Sequence, residues 1–400
     1  MYGLIFARKG DNMSMKKGAL RAMSRVLYCA SNPTHLQNFH LPYIAALAAG
    51  GDRVWTLCSG TFSAEGAEKH VDLRMEKNVF SPINWISAFR LAGLLKRERF
   101  DLICIHTSLA AFVVRLALLL AGKRGTRVVN TVHGYLFDGD TGFLKRFLLL
   151  LPELFFRGLT DRVVVMNEWD RSLAEKHRLG REVVKIPGVG VDFSRFSLGE
   201  REEMRQTLGL GSEDILLLYP AEFSARKDQS FLIRALRKLP ERVCLALPGR
   251  GALWEDCLRL ASALDLEGRV FFPGQLSELG DWYAAADISV SSSRYEGLPF
   301  NIMEGMYAGK PVVASRIKGH TDLIRDGEGG FLYSWNDEEE YLDCVRTLLK
   351  EKQLRRDMGE RNRRSVLDYG LDRVRETVLA AIGGREPALP ARTVKEAAAE

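Results

Sequence analysis

Two glutamates, Glu296 and Glu304, stand eight positions apart across a Gly/Pro turn in the C-terminal third of the chain. The first is expected on the turn and the second in the opening of a helix. Such a segment can present fixed carboxylates, free backbone N–H groups and the positive end of a helix dipole to one ligand. Carboxylates accept hydrogen bonds from sugar hydroxyls, and backbone amides face phosphate oxygens. The pattern therefore indicates a binding site for a nucleotide-sugar.

Within this segment we expect Glu304 to accept the ribose hydroxyls and Glu296 to accept a hydroxyl of the hexose that is transferred. One glutamate alone would be read more simply as a helix-start carboxylate that stabilises the dipole. The backbone of the intervening turn is expected to meet the sugar and the diphosphate. The four turn residues are Gly297, Leu298, Pro299 and Phe300.

A basic pair, Arg226 and Lys227, follows the predicted strand 215–219. Cations at the carboxyl end of a strand, opposite a helix start, can neutralise a diphosphate leaving group. The simpler alternative is an exposed basic pair on a loop. A second loop, which carries Gly249 and Arg250, follows the next strand, where glycine permits close approach to a ligand. That loop could equally be a tight turn, and because no complete G-x-G-x-x-G pattern is present, a dehydrogenase is disfavoured.

Histidines follow two strands of the first half. His133 precedes Gly134 at the end of the predicted strand 128–131, and we expect it to contact the sugar ring near the reacting carbon. Residues 31–42 should form the lip of the same cleft, with His35 on the acceptor side and His40 in ordinary loop packing. The three aspartates Asp138, Asp140 and Asp161 match no cation-binding loop, so we expect neither a metal nor a cofactor.

The composition limits the class of protein. A chain of 400 residues, 46% hydrophobic and 27% charged, is long enough for two globular domains. Its six cysteines show no C-x-x-C spacing, which is typical of a reduced, cytoplasmic protein. No apolar run reaches membrane-spanning length. The net charge is +6, but neither a recognition helix nor an aromatic–basic RNA-binding pattern accompanies it, so no nucleic-acid partner is expected.

An apolar segment with interspersed cations spans residues 142–159. The simpler interpretation is a helix packed on its own domain. The alternative is an interfacial helix that seats the N-terminal half on an anionic membrane, which would place the protein peripherally at the inner face of the plasma membrane.

Short apolar strands alternate with helical patterns along the whole chain, which predicts an α/β fold with parallel sheets. The predicted strands cover residues 26–30, 54–58, 102–106, 128–131, 163–166 and 183–186 in the first half, and 215–219, 243–247, 270–272, 288–291 and 311–314 in the second. Two Rossmann-like halves would leave a crevice at the carboxyl ends of their strands. The predicted organisation is a flexible extension over 1–22, domains over 23–187 and 188–365, and a disordered tail over 383–400.

Several motifs resemble one family. They include Phe272-Pro273-Gly274, Ala286-Asp287, residues 293–297 with Glu304, residues 308–315, Phe39-His40-Leu41-Pro42, Val132-His133-Gly134 and Gly190-Val191-Asp192. Together they resemble the family 4 retaining glycosyltransferases of GT-B fold, of the bacterial capsule, exopolysaccharide and O-antigen type. The resemblance covers nearly everything from residue 26 to about residue 382.

The resemblance implies two facing Rossmann-like domains around a deep interdomain cleft, with the nucleotide in the C-terminal domain and Phe272 among the substrate-binding residues. It also implies a last helix over 366–382 that crosses back to the N-terminal domain. Transfer in this family is thought to occur on the front face, with the departing phosphate taking the proton of the acceptor. Ala221-Glu222 replaces the family's usual Gly-Arg, and residues 32–35 replace its Gly-rich loop.

The function expected from these residues is transfer of a hexose from a UDP-sugar to a hydroxyl of a glycan acceptor, which could be lipid-linked. The expected reaction retains anomeric configuration and requires no metal. Two alternatives stay open: a UDP-sugar epimerase of similar architecture, and a non-catalytic protein that binds nucleotide-sugars.

Overall fold

The computed structural model describes residues 23–79, 81–139 and 141–383 of the chain. The predicted N-terminal extension and residues 384–400 of the predicted tail lie outside these ranges. Gly383, which was assigned to the tail, is instead the last residue of a helix.

Two parallel sheets organise the described residues, because their central strands are short apolar runs with both faces covered by helices. The strands of the first sheet are β1 Arg25–Cys29, β2 Arg53–Cys58, β3 Ala67–Asp72, β4 Leu102–Ile105, β5 Arg127–Val132, β6 Arg162–Val165 and β7 Glu182–Lys185. Those of the second are β8 Ile215–Leu218, β9 Val243–Ala246, β10 Val270–Phe271, β11 Ile288–Ser291, β12 Val312–Ser315 and β13 Gly330–Tyr333. The predicted α/β class with two parallel-sheet domains is confirmed.

The helices connect these strands and cover both faces of each sheet. In the first half they are α1 Pro33–Phe39, α2 Leu41–Ala49, α3 Pro82–Arg97, α4 Ser108–Ala121, α5 Phe143–Phe156 and α6 Glu168–His177. In the second half they are α7 Arg201–Thr207, α8 Gln229–Leu236, α9 Trp254–Ala263, α10 Gly280–Ala285, α11 Phe300–Tyr307, α12 His320–Leu323, α13 Glu338–Lys350, α14 Lys352–Ser365 and α15 Leu371–Gly383. Short 3₁₀ helices cover Arg157–Leu159, Phe193–Arg195 and Val366–Tyr369.

The strand orders place a crevice in each domain. The first sheet runs β3-β2-β1-β4-β5-β6-β7 and the second runs β10-β9-β8-β11-β12-β13. In each sheet the order reverses beside the first strand of the domain, so β1 neighbours β4 and β8 neighbours β11. Ligands of doubly wound sheets bind at such reversal points, beyond the carboxyl ends of the strands.

The last helix joins the second domain back to the first. Val374 and Val378 of α15 are buried in the same apolar cluster as Val26 and Tyr28 of β1. The family resemblance placed one helix over 366–382 here, but the segment divides into the 3₁₀ turn Val366–Tyr369 and α15. Its apolar positions recur every three to four residues, so one stripe faces the N-terminal domain.

Three local elements were not predicted. The lip over residues 31–42 contains helix α1, whose first turn is capped by the side chain of Asn32 accepting from the backbone of His35. Strands β3 and β13 were missed. β3 has a polar, half-exposed sequence at the edge of its sheet, and β13 begins with a glycine, so neither shows the apolar run of a central strand.

Helix α5 has an unusual surface. Phe143 is 85% exposed and Phe155 is 69% exposed. A buried ion pair holds the helix to α4, because Arg115 donates to both oxygens of Glu153 at 2.7 and 2.8 Å. The expected helix over residues 142–159 is therefore present, but its apolar outer face is not covered by the described residues. Within those residues we find no helix that combines the length and the apolar content needed to cross a membrane.

Candidate functional site

The two crevices face each other across a cavity of about 450 Å³. Its N-terminal wall comes from segments that follow β1, β4 and β5, and its C-terminal wall comes from the β8 loop and the β11–α11 turn. Seven of the predicted site residues line it: His35, His133, Arg226, Glu296, Gly297, Leu298 and Phe300. The topology explains this grouping, because the carboxyl ends of neighbouring parallel strands meet at one edge of a sheet.

Glu296 is the centre of the charged part of this cavity. Its carboxylate accepts from Arg226 Nη1 at 2.7 Å and from Lys227 Nζ at 2.5 Å. Ser293 Oγ donates to the same carboxylate at 2.6 Å. Lys227 and Glu296 are both buried. The acid and the two cations that the sequence placed on separate segments therefore form one cluster.

The charges around Glu296 determine its protonation. Burial alone would raise its pKa, but the charges of Lys227 and Arg226, with the hydrogen bonds from Lys227 and Ser293, lower the pKa to about 2. Glu296 is thus an anion at neutral pH and a weak proton acceptor. It can hold a hydroxyl or a cation, but it is poorly suited to act as a general base.

The basic loop is fixed by its backbone. Ser292 Oγ donates to the carbonyl oxygens of Lys227 and Asp228 at 2.9 and 2.8 Å. The backbone N–H of Arg294 donates to the carbonyl oxygen of Arg226 at 2.8 Å. These bonds connect the end of β11 to the loop after β8, so the two cations and Glu296 are positioned by the same two strands.

Gly297 brings the C-terminal turn against the N-terminal domain. A Cβ atom at this position would lie 1.7 Å from the carbonyl oxygen of His133. Asn167 Nδ2 donates to the carbonyl oxygen of Gly297 at 3.1 Å. The turn therefore requires glycine because of close backbone approach, and the contact places His133 beside the Glu296 segment.

Glu304 occupies a different position from the one expected. It lies in the second turn of α11, not in the opening of the helix, and it is not part of the cavity lining. Tyr283 Oη donates to its carboxyl at 3.0 Å. Burial raises the pKa of Glu304 to about 7, and the tyrosine bond offsets only part of this effect. The two predicted carboxyls thus have opposite tendencies, with Glu296 ionised and Glu304 close to half protonated at neutral pH.

The remaining predicted residues form a second group beside the cavity. Gly249 follows β9 at a φ of +142°, and a Cβ there would lie 2.0 Å from the carbonyl oxygen of Ala221 in the β8 loop. The Arg250 guanidinium lies 4.1 Å from the ring centre of Trp254. Phe272 follows β10 with its ring centre 5.6 Å from the same tryptophan. Gly249, Arg250 and Phe272 therefore share the strand edge with the basic loop, outside the lining of the cavity. Pro299 caps α11 and also lies outside that lining.

The N-terminal wall is rich in histidine. His35 lies in α1, His106 follows β4 and His133 follows β5, and all three line the cavity. His40, between α1 and α2, is fully buried beside them. Burial lowers the pKa of each of these four side chains, so they are neutral at physiological pH. Ligand atoms of His35, His40 and His133 lie within 4.8 Å of one another.

Sequence reasoning missed three residues of the site. Ser293 was included only in a family motif, residues 293–297, and Tyr283 was not singled out. His106 was placed at the end of the predicted strand 102–106. The topology contained a usable signal for His106, since it ends the strand next to β1, where the sheet order reverses. Tyr283 lies in α10 and contacts Glu304 in α11. The two residues are 21 positions apart in the sequence, so no local pattern indicates this contact.

Two family models match the chain. Residues 200–365 match the model described as "Glycosyl transferases group 1", and residues 40–188 match the "Glycosyl transferase 4-like domain". The two matched segments correspond to the two sheets and meet near residues 188–200.

Relatives extend the match over most of the chain. The protein described as "Putative glycosyltransferase EpsD" of Bacillus subtilis (strain 168) is 31% identical over 353 residues, covering 86% of this chain and 92% of that protein. The "UDP-Gal:alpha-D-GlcNAc-diphosphoundecaprenol alpha-1,3-galactosyltransferase" of Escherichia coli is 25% identical over 278 residues, covering 67% of this chain and 71% of that one.

A solved structure supports the architecture. The crystal structure of Anabaena Alr3699/HepE in complex with UDP and glucose superposes with a TM-score of 0.73 at 18% identity, covering 90% of this chain and 100% of that one. At this identity the similarity establishes the fold alone. Together with the family matches and the 31% identical relative, it shows that the chain belongs to the family 4 (group 1) glycosyltransferases of GT-B fold.

Proposed function

We propose that the protein transfers a hexose from a UDP-sugar to a hydroxyl of a lipid-linked glycan, with retention of anomeric configuration, during synthesis of a bacterial surface polysaccharide. The observation that carries the proposal is the Glu296 cluster. The anionic carboxylate of Glu296 and the cation of Arg226 line the interdomain cavity, where the Gly297 turn meets His133, and Lys227 is buried beside them on the same carboxylate. This arrangement suits a sugar diphosphate bound between two domains.

In the proposed complex, the diphosphate lies against Arg226 and Lys227, and the hexose is held by Glu296 and the turn that follows it. Electrostatic stabilisation of a departing phosphate is usually among the largest contributions to such a reaction. Two fixed cations supply that charge here, so we propose that transfer is metal-independent. The HepE crystal structure contains UDP and glucose, which supports a UDP-sugar as the donor class.

The ionised state of Glu296 and its hydrogen bonds favour a front-face reaction, in which the anomeric configuration of the hexose is retained, over a double displacement. A double displacement would need a free carboxylate nucleophile, but Glu296 is engaged by two cations and a serine. Its pKa of about 2 also makes it a weak proton acceptor. In the proposed reaction the departing phosphate oxygen takes the proton of the acceptor hydroxyl as the glycosidic bond forms on the same face. Neutral His133 contacts the sugar ring near the reacting carbon.

The acceptor proposal depends on helix α5. Glu153 of this helix lines the cavity, while Phe143 and Phe155 of the same helix are exposed with the cations Lys145 and Arg157 nearby. An apolar face flanked by cations suits the surface of an anionic bilayer. We propose that the protein works at the cytoplasmic face of the plasma membrane, where a lipid-linked glycan would enter beside α5. The printed name of the relative from Escherichia coli includes a sugar linked to diphosphoundecaprenol, which supports a lipid-linked acceptor.

The test is a panel of UDP-sugars assayed for slow release of UDP, with and without EDTA, followed by addition of saccharide acceptors. We expect one or two donors to release UDP equally in both conditions and to form a new glycoside with a suitable acceptor. Lys227→Ala should lower turnover about 10²–10³-fold, because it removes a charge from a buried site. Lys238→Ala, at an exposed ion pair, is the matched control and should leave turnover unchanged.

Other outcomes of the same assay separate the alternatives. A changed free nucleotide-sugar without UDP release would indicate an epimerase. Binding without any product would indicate a non-catalytic nucleotide-sugar protein. Loss of UDP release in EDTA would contradict the metal-independent reaction.

A further inference from the structure

Four of the chain's seven histidines meet in one cluster at the N-terminal wall of the cavity. The ring centres of His35 and His133 are 4.6 Å apart, those of His35 and His40 are 5.1 Å apart, and those of His40 and His133 are 5.2 Å apart. His106 lies behind them, 4.0 Å from His40. The cluster is assembled from three segments that follow β1, β4 and β5, so the fold brings it together.

Five ring nitrogens of this cluster are buried without a hydrogen-bond partner. Nε2 of His35, His40 and His133 is buried with no hydrogen-bond partner, and both ring nitrogens of His106 are in the same state. His40 is 0% exposed and His106 is 1% exposed. Buried polar atoms are normally satisfied, and each unsatisfied one typically costs about 1–3 kcal/mol. Several orphaned nitrogens at one place therefore indicate a missing ligand.

We propose that His35, His40 and His133 form a binding site for one divalent transition-metal cation of the Zn²⁺ class. Their ligand atoms lie within 4.8 Å of one another. Zn–N bonds of about 2.0–2.1 Å in tetrahedral geometry separate the nitrogens by about 3.3 Å. A bound metal would therefore draw the most widely separated of these nitrogens together by up to about 1.5 Å.

The chemistry of the ligand set selects the metal. All three ligands are imidazoles, which suit Zn²⁺, Co²⁺ and Ni²⁺, whereas Mg²⁺ and Ca²⁺ require oxygen ligands. With its proton on Nδ1, His40 donates to Tyr28 Oη at 2.9 Å and leaves the Nε2 lone pair free for a metal.

Three protein ligands leave a fourth coordination position open, as in sites that bind an exchangeable ligand. His35 and His133 line the cavity, so this position is reached from the cavity. A metal bound here occupies the His133 nitrogen that the proposed function assigns to the sugar ring. On that function, occupancy by the metal inhibits hexose transfer, and the metal-free enzyme is the active form.

The first experiment is titration of tag-free, full-length protein with Co²⁺, followed by visible absorption. We expect one Co²⁺ per chain and the intense bands of a four-coordinate ion. His40→Ala should weaken binding by at least about 100-fold, because even supporting residues around a metal contribute about 10–100-fold. Tyr28→Phe should weaken it about 10–100-fold. His177→Ala, at a histidine outside the cluster, should bind as the wild type does.

His133→Gln provides a second variant at a half-buried position, where folding is less at risk than at His40. Folding of each variant is checked by thermal unfolding without metal. The proposal is overturned if the wild type shows no saturable Co²⁺ binding, or if His133→Gln binds with unchanged affinity.

The inhibitory consequence is tested separately with Zn²⁺ added to the transfer assay. We expect Zn²⁺ to inhibit wild-type turnover and EDTA to restore it. Persistent full activity at saturating Zn²⁺ would contradict the inhibition. Because the Co²⁺ titration needs no turnover, its result stands whether or not the proposed transferase activity is found.

Discussion

Glu304 provides the sharpest test of how the nucleotide is held. Burial raises the pKa of its carboxyl to about 7, so the free enzyme contains protonated and ionised forms in comparable amounts at neutral pH. Ribose hydroxyls donate hydrogen bonds, and the ionised carboxylate accepts them better than the acid does. If Glu304 holds the ribose, binding requires the ionised form, and affinity is lost as the pH falls through 7.

The size of the effect follows from this pKa. A group with a pKa of about 7 is about one-tenth ionised at pH 6 and about nine-tenths ionised at pH 8. The dissociation constant of the donor should therefore rise about tenfold from pH 8 to pH 6. Glu296, with a pKa of about 2, contributes nothing to this change because it stays ionised over the whole range.

The assay is isothermal titration of the preferred UDP-sugar at several pH values between 6 and 8. A UDP-sugar is used because its diphosphate does not titrate in this range, whereas the terminal phosphate of UDP does. Glu304→Gln should bind more weakly at pH 8 and should lose the pH dependence. A flat profile for the wild type, or an unchanged slope in Glu304→Gln, would refute the assignment of Glu304 to the ribose.

Three further outcomes follow from the packing. Gly297→Ala should lower the rate of transfer at least about 100-fold in steady-state kinetics, because the added Cβ would displace the facing backbone. Misplacement of a reacting group by about 1 Å can have an effect of this size. The control Gly268→Ala adds a Cβ in open space and should leave the rate unchanged. Arg115→Met should lower the free energy of unfolding by about 3–5 kcal/mol, because it leaves Glu153 buried without its partner. Urea denaturation should show that the double variant Arg115→Met/Glu153→Leu regains stability relative to Arg115→Met alone. Acid should also lower the free energy of unfolding. In the unfolded chain the clustered histidines take up protons near pH 6.5, whereas in the folded protein burial lowers their pKa, to about 4 for His35. Their contribution to stability is therefore complete above pH 6.5 and falls as the pH decreases toward 4. Each such histidine contributes a slope of up to about 1.4 kcal/mol per pH unit, and urea unfolding curves that coincide at pH 7.5 and pH 5.5 would contradict this.

Much of the fold could be predicted because its strands are short apolar runs. Strand β11 was predicted with its observed bounds, residues 288–291. The edge strand β3 escaped because exposed, charged residues occupy half of it and leave no apolar alternation; these residues are Glu68, Lys69 and Asp72. Helix α1 escaped because a proline and polar residues dominate its sequence, and its start depends on a cap from Asn32 that composition does not reveal.

The candidate site could be predicted where its residues directly follow strands, because the end of a strand determines where the next side chains lie. Glu296, Arg226 and His133 were placed at strand exits, and the parallel topology brings those exits together. The contacts that set protonation were not predictable, because Tyr283 reaches Glu304 from another helix. The histidine cluster depends on how α1 folds back over the end of β4, which no local pattern encodes.

The seam between the two domains includes one lysine whose ammonium group is nearly sealed from solvent. Lys318, after β12, donates to Asp170 of α6 and to the carbonyl oxygens of Tyr135 and Phe137, each at 2.8 Å. Separating the two domains would remove all three acceptors from this ammonium group and would leave the buried carboxylate of Asp170 with only its neutral donors, Asn167 and the backbone N–H of Tyr135. Separation of the two domains at this point therefore requires rehydration of one buried charged contact, which helps to hold the domains together.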